Sequence, residues 1–193
     1  MESNKIITKQ YSPIYHAALK KFCIDCEAAG YQNNSINTIK LEWCLAEQGQ
    51  FFISLLNDEI ISVSGCHPLT EINKTYYRIL FRGATLPRYQ NINKVVSKTH
   101  MNSIPFFYHV PYQIEWGLTQ GYDTFVVSTN CYNSVVPSMN KSHNIFKSLE
   151  KQKIVTCLIE KTKLFYVDQT VWRLNIDNYL IARNNFKIRH GLY

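Results

Sequence analysis

Hydrophobic positions recur first at helical spacing and then at strand spacing along this chain. Ile14, Ala17, Ala18, Leu19, Phe22 and Cys26 follow a near-helical period. Ser12-Pro13 suits the start of that helix and Gly30 its stop. A second helix is predicted from Ile36 to Gln48, carrying Ile39, Leu41, Trp43, Cys44 and Leu45 and ending at Gly49. Strands follow. Phe51 to Leu56 and Glu59 to Ser64 flank the turn pair Asn57-Asp58 and read as an antiparallel hairpin. Thr75 to Thr85, rich in Tyr, Ile, Leu and Phe, is a third strand, stopped by Pro87.

Past Asn91 the period changes again. Helices are predicted over Asn91 to Ser103 and Tyr112 to Gln120, with Pro105 and Pro111 interrupting the chain between them and Gly121 closing the second. Thr124 to Ser128 is a β-branched strand, Thr129 to Pro137 a loop and Lys141 to Lys151 a helix. Ile154 to Ile159 and Leu164 to Leu174 are the last two strands. The pattern specifies an α/β (α+β) fold: one mixed sheet with helices on its faces.

The length of 193 residues suits a single domain, 1–193, and no linker or internal repeat interrupts it. The start of the chain, Met1 to Pro13, is polar, without the apolar core of a secretory signal. No apolar run approaches the about 18 residues of a membrane span. The expected setting is therefore soluble and cytoplasmic, with no membrane partner. The net charge of +7 attracts anions, whether nucleic acid or a phosphorylated cofactor, although its Lys and Arg residues form no polybasic run.

Of the six cysteines only Cys23 and Cys26 form a CxxC, and no second ligand pair follows, so no metal site is expected. The pair falls on a predicted helical core face.

Two segments carry a resemblance. Asn57-Asp58-Glu59-Ile60-Ile61-Ser62-Val63-Ser64-Gly65 is similar to the central hairpin of the GNAT superfamily of acyl-CoA-dependent N-acyltransferases. Arg82-Gly83-Ala84-Thr85-Leu86-Pro87-Arg88-Tyr89-Gln90 resembles the strand that opens that family's cofactor motif. Val126 to Asn130 and Val171 to Leu174 resemble later strands of the family. The resemblance implies a GNAT-like, mostly antiparallel twisted sheet with helices on both faces.

It also implies acetyl-CoA or another acyl-CoA as co-substrate. The matching positions for its binding are Thr85, Leu86, Arg88, Tyr89, Gln90, Asn91, Asn93, Lys94 and Val95, with Asn130 on the next strand. Asn91 and Asn93 stand where the family places glycines, so the pyrophosphate motif is degenerate; Asn tolerates left-handed backbone, and Arg88, Lys94 and Lys98 add positive charge. The family's usual acid, a Tyr on the helix after the Asn-ending strand, is absent between Lys141 and Lys151; Tyr132, in the preceding loop, is the substitute. Glu115 is the first candidate for a general base, and His67, in Gly65-Cys66-His67-Pro68, the second.

The aromatic run Pro105-Phe106-Phe107-Tyr108-His109-Val110-Pro111-Tyr112 reads as an acceptor-site wall, as a homodimer contact, or as packing against the sheet. Three functions remain open. The first is an N-acyltransferase acting on a small-molecule or peptide amine. The second is a GNAT-fold binding protein without catalysis. The third is an RNA- or tRNA-associated transferase, for which the +7 charge speaks.

Overall fold

The structure is a computed structural model that describes residues 6–30, 48–89, 103–131, 137–164 and 166–191, with side chains in the helix opened by Pro137 described from residue 143 onward. Two compact units divide at Asp123 and Thr124.

The first unit is built on four antiparallel strands in the order β1 (Ile7–Gln10), β2 (Gln50–Leu56), β3 (Glu59–Pro68) and β4 (Tyr76–Thr85). The predicted hairpin is present: Asn57 and Asp58 both adopt left-handed backbone, φ 50° and 63°, as a two-residue type I′ turn requires. The strand β1 was not foreseen, because its four residues, Ile-Thr-Lys-Gln, are too few to show a period.

Helix α1 (His16–Ala28) buries Leu19, Phe22, Cys23 and Cys26 against Phe51, Ile53, Val63 and Phe81 on one face of these strands. The predicted stripe was shifted: Ile14 is 82% exposed and lies in a short 3-10 turn, Pro13–Tyr15. Ser12 caps through its carbonyl, which accepts the Tyr15 N–H, and not through its side chain. Burial pushes the Cys23 thiol up to about 12 and the Cys26 thiol up to about 11, so both are inert core groups at neutral pH. The predicted helix at 36–48 falls largely outside the described residues.

On the opposite face lies a helical stretch that begins as a π turn, Pro105–His109, and continues as α2 (Val110–Thr119). The two prolines do not break it. Pro105 opens the helical stretch, where a missing N–H costs little, and Pro111 directly follows the π turn. Pro105, Phe106, Phe107 and His109 are buried, so the aromatic run packs largely into the unit itself. Gly121, at φ 84°, ends the helix.

In the second unit β5 (Thr124–Asn130) and β6 (Val155–Leu164) both pair antiparallel with β7 (Val167–Leu174). Helix α3 (Pro137–Lys151) precedes β6. Of the last two strands β6 is longer than the pattern indicated, reaching Leu164, and β7 is shorter, starting only at Val167. A final helix, α4 (Ile176–His190), was missed; its N-cap Asn175 accepts the Asn178 N–H and Gly191 closes it at φ 62°. Its buried residues are only Tyr179 and Phe186, too sparse a stripe to stand out in sequence. The seven strands and their helices form the mixed, mostly antiparallel α/β arrangement expected.

One close approach constrains the first unit. A Cβ added at Gly65 meets three ring atoms of fully buried Phe51 at 3.0–3.2 Å. Gly65→Ala should lower stability by about 1–3 kcal/mol through overpacking. Urea unfolding should show a lower midpoint with an unchanged slope; an unchanged midpoint would mean that the ring yields freely.

Candidate active site

Strand β4 is irregular where its sequence is most polar. Opposite β3 it carries extra residues: His67 faces Arg78, Gly65 faces Phe81 and Val63 faces Ala84. Each two-residue step on β3 is thus matched by three residues on β4, a double bulge. Leu80 and Arg82 take left-handed backbone, φ 58° and 52°. Such angles in residues other than glycine cost on the order of 1–3 kcal/mol each and persist only when their surroundings hold them.

Gln113 of α2 holds Leu80. Gln113 is fully buried. Its Oε1 accepts the Leu80 N–H at 3.0 Å, and its Nε2 donates to Gly65 O at 3.1 Å and to Ser64 Oγ at 2.8 Å. The side-chain amide thereby replaces the strand-to-strand hydrogen bonds that the bulge removes.

Behind Gln113 a buried polar row continues. Ser64 Oγ lies 2.7 Å from His109 Nδ1, Ser54 Oγ lies 2.8 Å from His109 Nε2, and Ser54 Oγ lies 3.0 Å from Thr8 Oγ1. One arrangement satisfies every atom: Gln113 donates to Ser64, Ser64 donates to Nδ1, and Nε2–H donates to Ser54. It requires a neutral imidazole. Complete burial pushes the His109 imidazole down to about 3, so it is neutral at physiological pH. In sequence His109 stands only as one member of the aromatic run. The missed signal was the serines: Ser54, Ser62 and Ser64 interrupt strands that are otherwise apolar, and buried hydroxyls need partners.

His67, a candidate base, is also fully buried. Its Nδ1–H donates to Pro68 O at 2.6 Å, which places the lone pair on Nε2, and its ring meets Phe81 edge-on at 4.7 Å. Burial, reinforced by the nearby Arg78 charge, pushes it down to about 3. Glu115 lies two residues beyond Gln113 on α2 and is exposed.

At the end of β4 the expected cofactor segment is partly described. Thr85 is buried, its Oγ1 2.9 Å from Ser62 Oγ. The Leu86 N–H donates to Ile61 O at 3.0 Å. Pro87–Tyr89 forms a 3-10 turn. There Arg88 pairs with Glu59 and, at 3.9 Å, with Asp25, while the Tyr89 hydroxyl donates to Glu59. The Arg88 side chain remains 52% exposed. Gln90, Asn91, Asn93, Lys94 and Val95 lie outside the described residues, as does Tyr132.

In the second unit Asn130 ends β5 opposite Gln169. Beside it Thr129 accepts the Trp172 indole N–H at 2.8 Å. Phe146 and His143 of α3 contact the Trp172 ring, at centroid distances of 5.9 and 5.5 Å. Among the described residues no group of three or more His, Cys, Asp or Glu could hold a metal ion, and no helix is long and apolar enough to cross a membrane.

No protein-family model matches the chain, and no curated protein matches it by sequence. Solved structures do match. A GNAT-family acetyltransferase from Staphylococcus aureus Mu50 aligns with a TM-score of 0.55 at 15% identity, covering 89% of this chain and 99% of that one. The aminoglycoside 6′-N-acetyltransferase of Enterococcus faecium aligns at 0.56 and 10% identity, covering 86% and 95%. An N-acyl amino acid synthase from uncultured soil microbes aligns at 0.56 and 12% identity, covering 91% and 92%. At these identities the likeness establishes the fold, which is that of the GNAT acetyltransferases.

The buried histidines set a pH dependence. His67 and His109 have folded-state pKa values near 3, below the ordinary 6.5. Between those values the unfolded chain binds more protons, so stability is fully present above pH 6.5 and is lost as pH falls toward 3. From pH 7 to pH 5 each histidine should account for a loss of about 2 kcal/mol. Urea unfolding of the wild type and of His109→Gln at both pH values should show that loss roughly halved in the variant. Equal losses would mean that His109 is not held neutral.

Proposed function

We propose that the protein is an acyl-CoA-dependent N-acyltransferase, moving an acetyl or other acyl group to an amine by direct attack. The observation that carries this reading is the near end-to-end likeness to GNAT acetyltransferases, which covers 89% of this chain and 99% of the staphylococcal enzyme. Acyl-CoA, when bound, supplies the activated thioester. The chemistry of the residues at the end of β4 fits such a ligand: Arg88 is cationic and half exposed, and Thr85 and Leu86 form a firmly anchored floor. Arg88, with Lys94 and the amides of residues 91–95, is assigned to the phosphates; Asn130 is also assigned to cofactor binding.

The acceptor amine must lose a proton. His67, held near 3, is too weak a base for an ammonium group. Glu115, exposed on α2, takes that role in this proposal, directly or through water. Tyr132 is assigned as the acid that returns a proton to the leaving sulfur.

A second reading, a GNAT-fold binding protein without catalysis, is favoured by one observation. Glu59 already occupies both Arg88 and Tyr89, leaving less of each for a phosphate. An RNA-linked acceptor is supported only by the charge of +7.

Melting temperature with and without acetyl-CoA decides between them. Ligand at about 100 times its dissociation constant adds about 2.7 kcal/mol, which amounts to several degrees for a chain of this size. The acyltransferase reading expects that shift, and Arg88→Ala should shrink it. The absence of any shift with acetyl-CoA, longer acyl-CoAs or free CoA would overturn it.

A further inference from the structure

Helix α4 has two unlike faces. The inward face holds Tyr179 and Phe186, both buried. At about 3.6 residues per turn, Ile181, Asn184 and Ile188 lie on the opposite side, with Leu180 and Asn185 on its flanks. All five are exposed. Leu180, Ile181 and Ile188 are 44%, 60% and 58% exposed. Single apolar residues scattered over a surface are ordinary. These line one side of one helix at spacings of three and four, as the seam of a helix pair does.

The order of residues in the seam narrows what covers it. From Ile181 to Ile188 the outward side chains read Ile, Asn, Asn, Ile. That order is the same in either direction, with its midpoint between Asn184 and Asn185. Such a stripe complements itself when two copies of the helix run antiparallel about a two-fold axis through the midpoint. Ile181 of each copy then meets Ile188 of the other, and the asparagines meet at the axis. A carboxamide carries both donors and an acceptor, so Asn satisfies Asn. A two-fold contact demands this reciprocity between positions.

The charges agree with that arrangement. The first turn of α4 carries Asp177, and its last turn carries Lys187, Arg189 and His190. Antiparallel pairing sets the acidic end of each helix beside the basic end of the other and opposes the two helix dipoles. Parallel pairing would bring like ends together. A lipid surface fits the stripe less well, because it would press the central amides toward hydrocarbon.

We propose that α4 is a homodimer contact, pairing antiparallel with α4 of a second copy of this chain about a two-fold axis between Asn184 and Asn185. The inference goes beyond the acyltransferase reading and does not depend on it. One helix from each copy is a small contact beside the about 1,200–2,000 Å² of stable interfaces. The dimer is therefore a reversible one, dissociating in the micromolar range.

Sedimentation velocity of the full chain, from low to high micromolar concentration, tests the pairing. The wild type should pass from monomer toward dimer as concentration rises. Ile181→Glu and Ile188→Lys, each alone, should weaken the dimer at least tenfold, since each sets an unpaired charge against an isoleucine. Antiparallel pairing places position 181 of one copy against position 188 of the other. Mixing the two single variants should therefore restore a dimer, because the new acid of one meets the new base of the other. The double variant, Ile181→Glu with Ile188→Lys, should likewise dimerise with itself. Either rescue also shows that the altered helix still folds.

A wild type that stays monomeric at every concentration would overturn the proposal. So would single variants that dimerise as the wild type does, or a mixture and a double variant that both stay monomeric. A monomeric wild type that sediments with vesicles of anionic phospholipid would overturn it too, and would give the stripe to a lipid surface.

Discussion

The geometry of the first unit depends on one side-chain amide. Gln113 bonds Leu80 N–H, Gly65 O and Ser64 Oγ, and so completes the hydrogen bonding of two strands that have parted. A buried backbone N–H or carbonyl left without a partner costs about 1–3 kcal/mol, which the left-handed residues on β4 could not absorb in addition to their own strain. The amide is in turn oriented by Ser64, and Ser64 is shared with His109. The shape of β4 is therefore set from α2, an element distant in sequence.

That distance explains what was legible in the chain and what was not. The hairpin could be read directly, because Asn57-Asp58 states its turn locally and the apolar strands flank it. The core face of α1 was legible in part, through Leu19, Phe22 and Cys26. The double bulge was not legible: no glycine occupies position 80 or 82, and the group that holds Leu80 comes from residue 113. The prolines at 105 and 111 misled because proline was read as a breaker, whereas Pro105 opens the helical stretch and Pro111 directly follows its π turn.

The site was legible to a similar degree. The segment Thr85 to Tyr89 announced itself by its resemblance, but its side-chain partners did not. Glu59 pairs with Arg88 and Tyr89 across some thirty intervening positions, a contact only the fold creates. His67 could be singled out in sequence, yet its burial, which makes it too weak a base, could not. Glu115 drew attention as a carboxylate just ahead of the Val126 strand, while the side chain that organises β3 and β4 was its near neighbour Gln113.

The row Thr8, Ser54, His109, Ser64 and Gln113 has a consequence for how this sequence can change over time. Each member satisfies its neighbours, so replacing any one by an apolar residue strands a buried polar atom on the next. Replacing all of them together by well-packed apolar groups removes that penalty. Single steps are unfavourable while the concerted change is not, and the effects of substitutions within the row are far from additive. Five positions spread from residue 8 to residue 113 thus drift as a block, and a variant at one of them is readable only in the company of the other four.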